Sequence, residues 1–257
     1  MEQPIIQVKN LCLAYKDIRA VWDVSFTLQA GEVLAVIGQN GSGKTSMVEC
    51  LEGLRRPDSG CIRVFGKEPW QYRSEIYRQM GVQLQETEYS SKIKVEEQCK
   101  LFACFYDRPA DWELLLKRME LEDKRKRFIH KLSGGEKQRL SILLSLMGRP
   151  RLLILDELTT GLDSQARQNM WKSFEYIRKG GVAIVMVSHY LDEVEALADK
   201  ILYLEGGKQK FFGTKQDFRN YAKSQIPEGE WREGSSLEQL YLMITPKAGG
   251  ITLDRIV

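Results

Sequence analysis

Gly38-Gln39-Asn40-Gly41-Ser42-Gly43-Lys44-Thr45 decides how this chain is read. The stretch fits G-x-x-x-x-G-K-[ST], a loop whose backbone N–H groups turn inward around phosphate oxygens. Glycine suits that task because a Cβ would obstruct the approach. Lys44 can reach the β- and γ-phosphates, and the Thr45 hydroxyl can ligate Mg²⁺. The context agrees. Glu32 to Ile37 reads as a buried strand, and Thr45 to Leu51 as the start of a helix whose N-terminus faces the phosphates. By itself the loop says only that a nucleoside triphosphate binds.

Two downstream segments narrow the reading. Leu132-Ser133-Gly134-Gly135-Glu136-Lys137-Gln138-Arg139 offers a capping box, Ser133 with Glu136, at a helix start. Two glycines inside the box weaken a helix, so a purely structural cap rarely chooses them. They do allow a phosphate to come close to the helix N-terminus. Leu152-Leu153-Ile154-Leu155-Asp156-Glu157 is an apolar strand ending in two carboxylates. Placing adjacent carboxylates there is costly unless an ion or a reacting water uses them.

Composition bounds the rest. The chain has 257 residues with 38 Lys+Arg against 35 Asp+Glu. A net charge of +3 gives no mandate for nucleic acid. No run approaches the ~18 apolar residues of a membrane span, and no secretory leader is legible. Cys12, Cys50, Cys61, Cys99 and Cys104 show no C-x-x-C spacing, which suggests reduced, cytosolic thiols. With two histidines, a zinc site is not expected.

Along the chain, strands are predicted at Ile5–Val8, Val21–Leu28, Glu32–Ile37, Cys61–Phe65 and Gly81–Leu84. Helical periodicity covers Val95–Tyr106, Asp111–Met119 and Glu136–Met147. Alternation then returns: a strand from 151, a helix from about Gln165, a strand Val182–Val187, a helix, and a strand Lys200–Leu204. Strands alternating with helices imply a parallel sheet with crossovers. Lys124-Arg125-Lys126-Arg127 could serve as a nuclear signal or a lipid-facing patch, and its shortness favours a solvated face or turn. Ser235-Ser236-Leu237-Glu238 offers a capping box for a short helix ending near Ile244, and Ala248-Gly249-Gly250 a flexible joint.

These landmarks, in this order, resemble the nucleotide-binding subunit of an ATP-binding cassette (ABC) transporter over roughly residues 5 to 215. Tyr15 stands where the family stacks an aromatic ring on adenine. Gly38, Gln39, Asn40, Gly41, Ser42, Gly43, Lys44, Thr45 and Ser46 match its Walker A loop. Gln85 matches the glutamine loop. Ser133, Gly134, Gly135, Glu136, Lys137 and Gln138 match the signature. Asp156 and Glu157 match Walker B and the catalytic glutamate, Gly161-Leu162-Asp163 the D-loop, and His189 the switch histidine.

The resemblance implies an α/β fold: a P-loop NTPase core with a mixed sheet, an antiparallel β subdomain and an inserted α-helical subdomain. The whole chain, 1–257, is then one ABC ATPase domain. Its core spans about 1–88 and 148–215, its helical insert about 89–147, and its C-terminal extension 216–257. ATP and Mg²⁺ are the implied ligands. Thr45, Gln85 and Asp156 would hold the metal, while Glu157, His189 and Lys44 would serve catalysis.

Ser133 to Glu136 would meet ATP bound to a second cassette, so a head-to-tail dimer is implied, with a homodimer giving two competent sites. A separate integral membrane permease would complete the transporter, holding this chain on the cytoplasmic face of the membrane. Asp156 to Asp163 with Gly81 to Gln85 and Ser188 to Tyr190 resemble the bacterial exporter-like branch. Leu158 and Ser164 stand where proline is common. A soluble single-cassette ATPase, such as an iron–sulfur assembly factor, is the alternative. Glu86 to Lys94, polar and just past Gln85, would couple to the permease. The transported substrate is not legible.

Overall fold

The computed structural model describes residues 3–83, 92–156, 162, 164–227 and 229–245. In chain order its first elements are β1 (Ile6–Tyr15), β2 (Ile18–Leu28), β3 (Val33–Ile37), α1 (Lys44–Leu51), β4 (Ser59–Val64), α2 (Arg73–Tyr77) and β5 (Met80–Gln83). Helices α3 (Val95–Ala103), α4 (Trp112–Arg118) and α5 (Gly134–Ser145) follow. The chain then runs through β6 (Leu152–Asp156), α6 (Ser164–Lys179), β7 (Ala183–Val187) and α7 (Leu191–Leu197). It continues with β8 (Lys200–Glu205), β9 (Lys208–Thr214), α8 (Lys215–Gln225) and α9 (Leu237–Ile244).

The strand order is β4-β1-β2-β9-β8-β3-β7-β6-β5. Strands β8, β3, β7, β6 and β5 pair in parallel, as the strand–helix alternation requires. Strands β4, β1 and β2 form an antiparallel arm. It joins the main sheet where Trp22 of β2 meets Lys208 of β9. The sheet is therefore mixed, with the parallel part central.

Period-2 alternation divides the core between two faces of the sheet. Val33, Ala35 and Ile37 pack with Leu140 and Leu143 of α5 and Phe174 of α6. Leu34 and Val36 pack on the other face with Met47 and Leu51 of α1 and with Leu11 and Val21 of the arm. Each fully buried leucine contributes about 1.5–3 kcal/mol of transfer free energy. Both faces of β3 are covered, which explains its continuous apolar run.

Several boundaries differ from the sequence reading. β1 does not stop at Val8. Its register shifts between Val8 and Leu11, at Asn10 (φ 49), which donates from Nδ2 to Asp23 Oδ1 at 2.7 Å. Asn tolerates the left-handed region, so a polar residue that looks like part of a turn sits at a bulge inside a long hairpin. Helix α3 ends at Ala103, three residues before Tyr106, ahead of Pro109. α5 begins at Gly134 because Ser133 is its cap. α2, β9 and α8 were not anticipated at all. Leu84 and Glu86 to Ser91 lie outside the described residues, as does Ala248-Gly249-Gly250.

The C-terminal helices pack onto the core through aromatic rings. Tyr203 of β8 meets Tyr241 of α9 at 5.6 Å between centroids, and Phe211 of β9 meets Phe218 of α8 at 5.3 Å. The cap of α9 is Ser236 with Gln239, one residue later than the Ser235–Glu238 box read from sequence.

The basic run is only half solvated. Arg125 bridges Glu96 of α3 at 3.1 Å and Glu113 of α4 at 3.3 Å, while Lys126 and Arg127 are exposed. All five cysteines are free thiols, and burial pushes Cys50 and Cys99 up to about 12, leaving them inert. No described helix is long and apolar enough to cross a membrane.

Candidate nucleotide-binding site

The register of the parallel strands gathers the predicted residues at one sheet edge. Val36 pairs with Val187, and Val187 pairs with Asp156. The phosphate loop leaves β3 one residue after Val36, Asp156 ends β6, and His189 follows β7 by two residues. All three therefore emerge together at the carboxyl ends of adjacent strands, where open α/β sheets bind ligands.

The loop itself is built for phosphate. Gly43 has φ 96, and a Cβ there would lie 2.2 Å from the Ala20 carbonyl oxygen, so glycine is required. Gly43 is also the N-cap of α1, and no side chain caps that helix. No acidic residue lies in its first turn. Its leading N–H groups thus keep their capacity and their partial positive charge for an anion. Ser42 Oγ is buried with no hydrogen-bond partner among the described residues. Lys44 is buried, and its Nζ donates to the carbonyls of Gly38 at 2.8 Å and Gln39 at 2.9 Å. An uncapped helix start, an orphaned buried hydroxyl and a folded-in ammonium together fit a triphosphate.

A cleft of ≈ 640 Å³ opens over the loop, lined by Tyr15, Asn40, Gly41, Gly43, Lys44, Thr45 and Ser46 together with Asp156 and His189. Gly38, Gln39 and Ser42 belong to the same loop and do not line the cleft. The Tyr15 hydroxyl lies 3.2 Å from Ser46 Oγ and 3.3 Å from Glu49 Oε2, which ties the ring to α1.

Ile18, Arg19 and Ala20 also line the cleft, and sequence reading missed them. Ile18 is 72% exposed, an apolar side chain left in the open beside Tyr15. An isoleucine directly after the polar pair Lys16-Asp17 was the available signal.

Thr45 and Asp156 are the described residues able to hold a divalent cation. A hydroxyl and one carboxylate suit Mg²⁺, which keeps several waters and takes few protein ligands. The third predicted ligand, Gln85, and the predicted catalytic Glu157 lie outside the described residues, as do Gly161 and Asp163.

A buried brace stands behind His189. Ser188 Oγ donates to Glu193 Oε2 at 2.7 Å and accepts from the Tyr190 N–H at 3.0 Å. Ser188 is 1% exposed and Glu193 0%. Another acid sits beneath the loop helix. Glu52 is 4% exposed, and burial, followed by the charges of Glu49 and Asp156, pushes its carboxyl up to about 7.

The signature residues are not in this cleft. Ser133 caps α5, accepting from Glu136 N at 3.2 Å while its own N–H donates to Glu136 Oε2 at 2.8 Å. Gly134 is exposed, and a Cβ there would meet nothing within 4 Å. Nothing in the packing of the described residues asks for glycine at that point.

The profile of the ABC transporter family matches residues 21–160. Among curated relatives, a putative ABC transporter ATP-binding protein of Methanosarcina acetivorans is 32% identical over 244 residues, 88% of this chain and 46% of that protein. The Nod factor export ATP-binding protein I of Burkholderia lata is 35% identical over 210 residues, 79% of this chain and 69% of that protein. The chain thus spans less than half of the first relative and about two thirds of the second. A solved ATP-binding subunit of an ABC transporter superposes with a TM-score of 0.80 at 28% identity, covering 93% of this chain and 99% of that one. With its phosphate loop, its Asp156 and its His189 on one sheet edge, this chain belongs to the ABC transporter family and is one of its ATP-binding cassettes.

Proposed function

We propose that this chain is the ATP-hydrolysing motor of an exporter whose membrane-spanning permease is a separate protein. The observation that carries the reading is the single cleft lined by Tyr15, Lys44, Thr45, Asp156 and His189. Export is supported by the relative in Burkholderia lata, named for Nod factor export. Attachment to the permease places the cassette on the cytoplasmic face of the membrane.

The residues divide the work. Lys44 and the N–H groups from Gly41 to Thr45 form a fixed positive field for the β- and γ-phosphates. Thr45 and Asp156, with Gln85, would hold Mg²⁺, which would neutralise phosphate charge. Glu157 orients and deprotonates the attacking water. His189 holds the terminal phosphate, steadied by the Ser188–Glu193 brace. Tyr15 and Ile18 give the adenine an aromatic wall and an apolar lip.

The pairing of two cassettes is supported by Gly134. It lies bare on the surface at the start of α5, where only an approaching second body gives glycine a purpose. In a homodimer the Ser133 to Glu136 segment of each copy closes the site of the other. Glu157→Gln tests the whole reading. The amide keeps the shape and removes the base, so turnover should vanish while ATP binding persists and a dimer accumulates with ATP in size-exclusion chromatography. Turnover near the parent rate would end the assignment.

A further inference from the structure

A groove of ≈ 670 Å³, as large as the nucleotide cleft, lies between α4, the end of α5 and α6. Its floor is apolar, made by Leu115, Met119, Leu146, Ile177 and Val182. Its rim is cationic. Arg118, Arg149 and Lys172 line it and are exposed, and no carboxylate does. None of the three cations has an ion-pair partner among the described residues. Elsewhere on the insert, Arg125 and Arg139 are paired with glutamates. Tyr176 is 62% exposed on the same rim, with the Arg118 guanidinium 4.3 Å from its ring centroid.

The groove is remote from the nucleotide. Pro150 and Val182 line it just before β6 and β7 begin. Asp156 and Val187 end those strands at the nucleotide cleft. A strand of that length separates the two sites by about 15 Å. Gln83, which leads into the segment after β5, pairs with Leu155 at the nucleotide end. The groove therefore lies at the opposite end of these strands from Gln83.

We infer that this groove docks an acidic amphipathic peptide segment of a partner protein. Lys172, Ser173, Tyr176 and Ile177 occupy one face of α6 at helical spacing, and Leu115, Arg118 and Met119 one face of α4. Two helix faces flanking an apolar trough suit a third helix laid between them, apolar side down. Three cations without ion-pair partners among the described residues select acidic side chains along the edges of that helix. Tyr176 is an exposed aromatic anchor of the type that dominates such interfaces.

The test uses the full chain and two fluorescent peptides. One is an amphipathic helix of Leu and Glu; the other has Lys at every Glu position. Anisotropy should show the acidic peptide binding, weakening as salt rises from about 0.05 to about 0.3 M, and the basic peptide not binding. The combined variant Arg118→Glu, Arg149→Glu, Lys172→Glu should lose at least about tenfold in affinity, with basal ATPase unchanged. Tyr176→Ala, which keeps the charge, should lose at least about fivefold. Equal binding of both peptides, or parent affinity in either variant, overturns the proposal. So does failure of the acidic peptide to bind while phosphatidylglycerol vesicles bind and are released by the triple variant, which assigns the patch to lipid.

Discussion

The guanidinium of Arg55 lies over the ring of Tyr15, 4.6 Å from its centroid. Arg55 Nε also bonds Glu49, whose Oε2 lies 3.3 Å from the Tyr15 hydroxyl. The ring that lines the nucleotide cleft is thus stacked by a cation and tethered to α1 by its hydroxyl. Such a ring is held in place before any base arrives, so little ordering entropy opposes stacking on it.

Removing the ring should therefore weaken nucleotide binding at the base. Tyr15→Ala is expected to reduce ATP affinity by about 1–3 kcal/mol, the scale of base–aromatic stacking. GTP should suffer similarly, because stacking reads a π-face and not a base edge. Tyr15→Phe keeps the ring and should stay close to the parent. Calorimetric titration of all three proteins decides it, and an unchanged alanine variant would reduce Tyr15 to a packing residue.

The Ser188–Glu193 brace gives a second outcome. Ser188→Ala removes the donor to a fully buried carboxylate, which costs about 1–3 kcal/mol of folding stability. It also frees the turn carrying His189. On the proposed reading His189 acts on the terminal phosphate while most binding comes from the loop and base, so we expect kcat to fall with KM for ATP little changed. Ser188→Thr, which keeps the hydroxyl, should recover much of the rate. A loss of stability with parent kcat would show that the brace supports the fold and not the histidine.

Some of this molecule was legible before any coordinates and some was not. Glycines, a lysine and carboxylates at the ends of apolar strands are chemically conspicuous, so the phosphate loop, Asp156 and His189 were readable with their strands. β1 was foreshortened because Asn10 looks like a turn residue, whereas it sits at a register shift inside the strand and bonds Asp23 of β2. β9 was invisible because Lys208-Gln209-Lys210 carries no apolar alternation, and its place is set by pairing with β8. α8 did advertise itself: Thr214 and Asp217 form a capping box. Arg55 over Tyr15 is a tertiary meeting, which no local pattern encodes, whereas the Ser188–Glu193 bond spans five residues across the turn into α7.

Glu52 makes stability depend on pH in a definite direction. Its carboxyl is raised from 4.5 to about 7 in the folded chain, mainly by burial and then by Glu49 and Asp156. The folded state therefore holds that proton longer than the unfolded state. Stability falls as pH rises from about 4.5 to about 7, and the full cost, about 3 kcal/mol, is present above that window. Glu52→Gln removes the ionisation. Its stability advantage over the parent should be near zero at pH about 4.5 and grow to about 3 kcal/mol by pH about 8. Urea unfolding of both proteins across that range measures it, and a difference independent of pH would contradict it.

The last outcome separates what Gly134 does within one copy from what it does between two. Its φ is not positive, and a Cβ would meet no atom of the chain within 4 Å, so Gly134→Ala should fold normally. Alanine is the better helix former, by up to about 1 kcal/mol in a helix interior and less in this first turn. The isolated variant should then be as stable as the parent or slightly more so. A larger side chain, Gly134→Val, also has open space before it. If this surface closes on ATP held by a second copy, both substitutions insert carbon where a phosphate must come close to the N–H groups of α5. ATP-dependent dimerisation and ATPase activity should fall together, valine more than alanine, while ATP affinity of the monomer stays at the parent value. Introducing the changes alongside Glu157→Gln allows dimerisation to be read without turnover. Parent-like dimers from both variants would mean that Gly134 faces solvent throughout the cycle and that the α5 N-terminus takes no part in the second site.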